Sequence, residues 1–112
     1  MPVSKNYCDY VLEQLAGLGD IIAKRMFGGV GLYYNDVFFA VLDDDQLYFK
    51  VDDDTRKDYL TAGMQPFQPT KDGPSSKTYY QVPKQVLEDE NRLQEWARKA
   101  LTAARKKPQK RN

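Results

Sequence analysis

The chain has 112 residues, 41% of them hydrophobic and 12% aromatic, with a formal net charge of +1 and no histidine. That length builds one domain with its own core and excludes two. Without histidine there is no Ser–His or Cys–His nucleophile pair and no imidazole base, and the lone cysteine, Cys8, forms neither an intramolecular disulfide nor a thiolate zinc site. A single thiol points to a reducing, cytoplasmic setting. No run has the length of a membrane span or the form of a secretory leader.

Ser4 is placed to cap a first helix, in which Cys8, Val11, Leu12, Leu15 and Leu18 recur at helical spacing and make Cys8 a buried core thiol. Gly17 and Gly19 stop it, with Gly19 expected in the left-handed conformation. Residues 21–27 read as a strand, with Ile21, Ala23, Arg25 and Phe27 on one face and Ile22, Lys24 and Met26 on the other. Strands over 30–34 and 37–42 follow, joined at Asn35-Asp36, residues that tolerate positive φ. Asp43-Asp44-Asp45 turns the chain into a strand over 47–51, where Leu47, Phe49 and Val51 share one face and Tyr48 and Lys50 the other. The elements so far make an antiparallel meander with one face to cover.

Asp53 or Asp54 is expected to cap a second helix over 55–62, ended by Gly63. Residues 65–76 hold Pro66, Pro69, Gly73 and Pro74 and read as irregular, the most mobile interior stretch. Within them Pro66-Phe67 forms a short edge strand and Phe67 plugs a core gap. A last strand spans 77–82 and a helical turn 83–87. Asp89 then caps the clearest helix, running to about Arg105, with Leu93, Trp96, Ala97, Ala100, Leu101 and Ala104 as its apolar stripe and Trp96 as its largest buried contribution. Residues 1–105 form the domain, and 106–112 a basic tail expected to fray.

The stretch Arg25-Met26-Phe27-Gly28-Gly29-Val30-Gly31-Leu32 organises this chain. A phosphate-cradling loop needs a helix directly after its glycines and, in its commonest form, a Gly-Lys-Ser/Thr. Here a further strand follows, so Gly28, Gly29 and Gly31 read as a bend.

Three features bear on function. Arg92, Arg98, Lys99, Arg105, Lys106, Lys107, Lys110 and Arg111 gather at the C-terminus, with no acidic residue past Glu95. Such a stretch can neutralise phosphates, although cations at a helix C-terminus also serve its dipole, and the solvated reading weighs more. The aspartate runs at 43–45 and 52–54 lack the alternate-position spacing of a calcium loop and read as turn and cap chemistry. Eight tyrosines exceed what one small core buries, which favours an interface; base stacking on the sheet is the alternative use, without an RNP-like motif to support it.

Arg25 to Gly31, then Phe39-Ala40, Leu47-Tyr48-Phe49-Lys50, Gly63, Pro66-Phe67, Tyr80-Gln81-Val82-Pro83 and a terminal helix bearing Trp96, resemble the TfoX (Sxy) N-terminal domain family in order and spacing. The resemblance implies a two-layer α+β sandwich of the secretion-chaperone-like kind: one antiparallel sheet of about five strands with N- and C-terminal helices packed on it. Full-length members are transcriptional co-regulators acting with the catabolite activator protein at competence-gene promoters. They carry a second helical domain absent from these residues, so a short, stand-alone member is expected. No catalytic or ligand residues are established for the family's N-terminal module, so the resemblance supplies no active site, cofactor or metal. The expected function is therefore non-enzymatic binding to a protein partner, assisted by DNA contacts through Arg98, Lys99, Arg105, Lys106, Lys107, Lys110 and Arg111. The alternative is weak, sequence-independent nucleic-acid binding by that same region. By analogy, a homodimer through a helix or sheet edge is also expected, and no membrane partner.

Overall fold

The computed structural model describes residues 3–26, 28–68 and 72–106. Ser4 caps α1 (Lys5–Gln14), its Oγ accepting from the Tyr7 N–H at 3.1 Å. Val11 and Leu15 are fully buried, whereas Cys8 is only half-buried against the core, less enclosed than its place in the stripe predicts. Gly19 takes the expected positive φ (135°), with ψ −160° in place of a left-handed helical value; it ends a 3-10 turn over Ala16–Leu18 and leads the chain towards the sheet.

Five antiparallel strands follow in spatial order: β1 (Ile21–Met26), β2 (Gly29–Tyr34), β3 (Val37–Asp43), β4 (Gln46–Lys50) and β5 (Tyr79–Gln81). Asn35 and Asp36 (φ 49° and 66°) and Asp44 and Asp45 (φ 50° and 54°) form two-residue hairpins whose positive φ matches the twist of the strands. Asp43 is not part of the second turn. It stays in β3, opposite Gln46.

Val30, Leu42 and Leu47 lie in one cross-strand row and Leu32, Ala40 and Phe49 in another, all buried beneath the helices. A bulge breaks the register between Leu32 and Tyr33, leaving Phe39 unpaired. Phe39 and Ala40 are therefore both buried, while Phe38 and Val41 take the opposite face.

Asp52 caps α2 (Asp53–Thr61), in place of Asp53 or Asp54. Its Oδ1 accepts from the Thr55 N–H at 2.8 Å and the Thr55 Oγ1 accepts from the Asp52 N–H at 3.0 Å, a reciprocal box that only Asp52 can make with Thr55. Asp53 and Asp54 lie in the first turn, where the helix dipole favours them. The helix ends with Gly63 N–H on the Leu60 carbonyl and Met64 N–H on the Tyr59 carbonyl, the paired bonds that a positive-φ residue at 63 allows.

Residues 65–67 then run beside β5. Pro66 bridges Tyr80, and Gln81 N–H and Phe67 N–H donate to the Gln65 and Tyr79 carbonyls at 2.9 and 2.8 Å. Residues 69–71, on which part of the mobility expectation falls, lie outside the described residues.

After α3 (Lys84–Leu87), Asp89 caps α4 (Glu90–Arg105), which crosses β3 and β4 and carries Leu93, Ala97, Ala100 and Leu101 into the core. Trp96 is half-buried against the core and meets Tyr59 of α2 edge-on at 4.8 Å. In the last turn Ala104 packs partly buried against the core, as its place in the stripe predicts, and Ala103 is buried as well. Among the described residues, no helix is long and apolar enough to cross a membrane.

Candidate binding surface on the open face of the sheet

The helices cover one face of the sheet. On the other, β1 presents Ile22, Lys24 and Met26, β3 presents Phe38, Val41 and Asp43, and β4 presents Tyr48 and Lys50; none of these side chains is fully buried. An antiparallel sheet with one uncovered face normally shows polar residues there. Here it is aromatic.

Tyr33 stacks on Phe38 at 5.1 Å (29° between planes), and Phe38 meets Tyr79 at 5.7 Å (39°). Lys24 Nζ lies 4.9 Å from the Tyr33 centroid and Lys50 Nζ 5.4 Å from that of Tyr79, so each end ring carries an ammonium. A stacking nucleobase needs a free ring face. In this row a lysine ammonium already lies by each end ring. Burial pushes Tyr79 up to about 12 and raises Tyr48 as well, so both phenols are neutral and the charge of the face comes from its lysines and Asp43.

Beside the row lies a groove of about 420 Å³, lined by Met26, Phe38, Val41, Phe67 and Tyr79, with Asp43, Ser76 and Thr78 as its polar groups. The glycines form part of its construction. A Cβ at Gly31 would stand 2.8 Å from Met26 Cε and 2.9 Å from Phe38 Cε1, and one at Gly29 2.6 Å from the Leu42 carbonyl oxygen. The absence of the first lets Met26 and Phe38 close over β2, and that of the second lets β2 pass close to the β3 backbone. Phe67 belongs here too. It packs on Tyr48 at 4.8 Å and walls the groove, on the side opposite the core gap it was expected to fill.

Of the glycine corner, Gly28 (φ 81°) makes the turn, Gly29 and Gly31 lie within β2, Arg25 is exposed on β1, and Phe27 lies outside the described residues. The basic candidates are elsewhere. Arg98, Lys99 and Arg105 are exposed on α4 and Lys106 just beyond it, in the helical layer; Lys107, Lys110 and Arg111 lie outside the described residues. Lys106 Nζ reaches Asp52 Oδ2 at 2.6 Å and Lys99 Nζ reaches Asp58 Oδ2 at 3.8 Å. The Lys106 ammonium, followed by the Thr55 N–H, holds the Asp52 carboxyl down at about 2. Arg98 and Arg105 make no ion pair among the described residues.

Asp45 Oδ1 accepts from the Ser4 N–H at 2.9 Å, tying the start of α1 to the second hairpin. No group of three or more acidic, cysteine or histidine side chains among the described residues is placed to hold a metal ion. Lys24, Lys50, Phe38 and Val41 were not singled out from sequence as a surface. The signal was there in Tyr48 and Lys50, which alternate with Leu47 and Phe49, and in a third strand apolar on both faces.

A five-strand antiparallel meander with helices on one face and aromatic residues on the other is a two-layer α+β module built around an uncovered sheet. Residues 13–104 match the family model of the TfoX N-terminal domain, and the chain belongs to that family. No curated protein matches the chain.

Proposed function

We propose that this protein is a non-enzymatic, cytoplasmic docking module that binds a protein partner through the helix-free face of its sheet. The observation that carries this reading is the apolar groove of Met26, Phe38, Val41, Phe67 and Tyr79, since grouped apolar side chains on an uncovered face mark interaction sites. Family membership supports a regulatory setting, and competence-gene transcription is the process we assign to it. The half-buried, unpaired Cys8 suits a reducing compartment. The displaced pKa values have structural causes: burial raises Tyr7, Tyr48, Tyr59 and Tyr79, and an ion pair with a cap lowers Asp52, rather than a tuned acid–base pair within the groove. The nucleic-acid alternative has less beneath it, because Asp58 and Asp52 already engage Lys99 and Lys106.

The test is capture from a native lysate by the tagged full chain, by Val41→Glu on the open face and by Arg98→Glu on α4, each confirmed folded by circular dichroism. A charge driven into a desolvated contact costs binding roughly thirtyfold. The protein captured by the wild type should be lost with Val41→Glu and kept with Arg98→Glu. The reverse pattern, with salt-dependent duplex binding that Arg98→Glu weakens, contradicts the reading and supports the nucleic-acid one.

A further inference from the structure

β1 ends the sheet. It pairs with β2 from Ile21 to Met26, and among the described residues no backbone bond reaches its other side. The opposite end is different: residues 65–67 lie along β5 there. The helical layer also stops short of β1. On the helix side of β1, Ala23 and Arg25 are exposed, although their partners Leu32 and Val30 on β2 are buried; on the open face Ile22 is 53% exposed. An uncovered strand of this length offers unpaired N–H and C=O groups to another extended chain.

The charges select the chain. Lys24 and Arg25 are adjacent in a strand and therefore point to opposite faces, Lys24 beside Gly31 and Arg25 beside Val30. Neither makes an ion pair among the described residues. Pairing of β1 with the β1 of a second copy would line two cations from each chain along one seam, and like charges across a strand pair are destabilising. A strand with two neighbouring carboxylates instead sets one against each cation. On the groove side, Ile22 and Met26 flank Lys24, so an apolar residue two places from the acid completes the match.

We infer that the free edge of β1 accepts an extended acidic peptide segment, which adds to the sheet as a further strand with one carboxylate on Lys24 and the next on Arg25. The inference rests on the docking reading above and goes beyond it in naming the edge and the chemistry of the partner. Lysine on an edge strand also serves simply to repel other edges. That simpler role predicts no binding of an acidic strand.

The probe is the capped hexapeptide Val-Thr-Glu-Asp-Thr-Val, compared with its Lys-Lys counterpart and with an acidic version N-methylated at alternate residues. The readout is amide hydrogen exchange of the full chain by NMR. At ten times its dissociation constant the acidic peptide should slow exchange on the outward amides of residues 21–26 by about tenfold. The Lys-Lys and N-methylated peptides should not. The double variant Lys24→Glu with Arg25→Glu, its fold checked by spectral dispersion, should reverse the preference. No slowing at millimolar acidic peptide, slowing that is indifferent to peptide charge, or concentration-dependent slowing without peptide (a second copy on the edge) each overturns the inference. Val41→Glu leaves the edge intact. Edge binding that fails while capture stays sensitive to Val41→Glu refutes the edge alone; edge binding that persists while capture is insensitive refutes the groove alone.

Discussion

Gly29 and Gly31 support the open face in different ways. An alanine methyl at 29 would stand 2.6 Å from the Leu42 carbonyl oxygen, which belongs to the backbone of β3, whereas at 31 it would meet the far ends of Met26 and Phe38, which can rotate. Gly29→Ala should therefore cost about 3 kcal/mol and Gly31→Ala about 1 kcal/mol in urea unfolding, the two ends of the overpacking range; equal losses would contradict the assignment. The glycine-rich corner was legible in sequence as a bend. Only Gly28 turns the chain; what the other two need is set by the neighbouring strands, Leu42 of β3 for Gly29 and Met26 of β1 with Phe38 of β3 for Gly31. Asp52 gives a prediction in pH. Its carboxyl sits at about 2 in the fold against an ordinary 3.8, so it stabilises the protein fully above the ordinary value and that contribution is lost as pH falls through about 2. Asp52→Asn keeps a cap acceptor and should lose less stability than wild type on acidification from about pH 5 to 2, read by urea midpoints at each pH. Asp52→Ala should be weaker by about 1 kcal/mol at pH 7 through the lost cap.

The two hairpins use non-glycine residues at positive φ, which glycine relieves. Asp36→Gly should raise stability by about 1 kcal/mol in thermal or urea unfolding, because it leaves the favoured Asn-Gly pair. Asp45→Gly should gain less, since Asp45 Oδ1 also accepts from the Ser4 N–H at 2.9 Å. In α4, Leu93→Ala removes a completely buried side chain and should cost about 2–5 kcal/mol. These elements could be read from sequence because their signals are local: Ser4 and Asp89 as caps, Asn35-Asp36 as a turn, the stripe from Leu93 to Leu101. Two features were not local, and a third, the cap of α2, was local but ambiguous. The bulge at Phe39 hides in a run that is apolar at every position from Val37 to Leu42, so no alternation marks its register. The face taken by Phe67 depends on pairing with Tyr79 and Tyr80. Asp52 stands in a row of three candidate caps, and only its spacing to Thr55 separates it from the others.

Across the whole molecule, an uneven charge sequence becomes a more balanced surface. The acidic start of α2 lies beside the basic end of α4, joined by Lys106–Asp52 and Lys99–Asp58 contacts spanning 54 and 41 positions of chain. Sequence exposes such a basic run but not its partners, which explains why the C-terminal cations stood out there more than they do in the fold. The helix-free face shows the converse: its rings come from four strands and the 65–67 segment, and only the register assembles them. Docking through this face is best tested by hydroxyl-radical footprinting of the protein alone and with the partner it captures. Met26, Phe67 and Tyr79 should lose reactivity in the complex, while Tyr10 and Leu60, exposed on α1 and α2, keep theirs. Protection of Tyr10 and Leu60 with Met26, Phe67 and Tyr79 unchanged would contradict it.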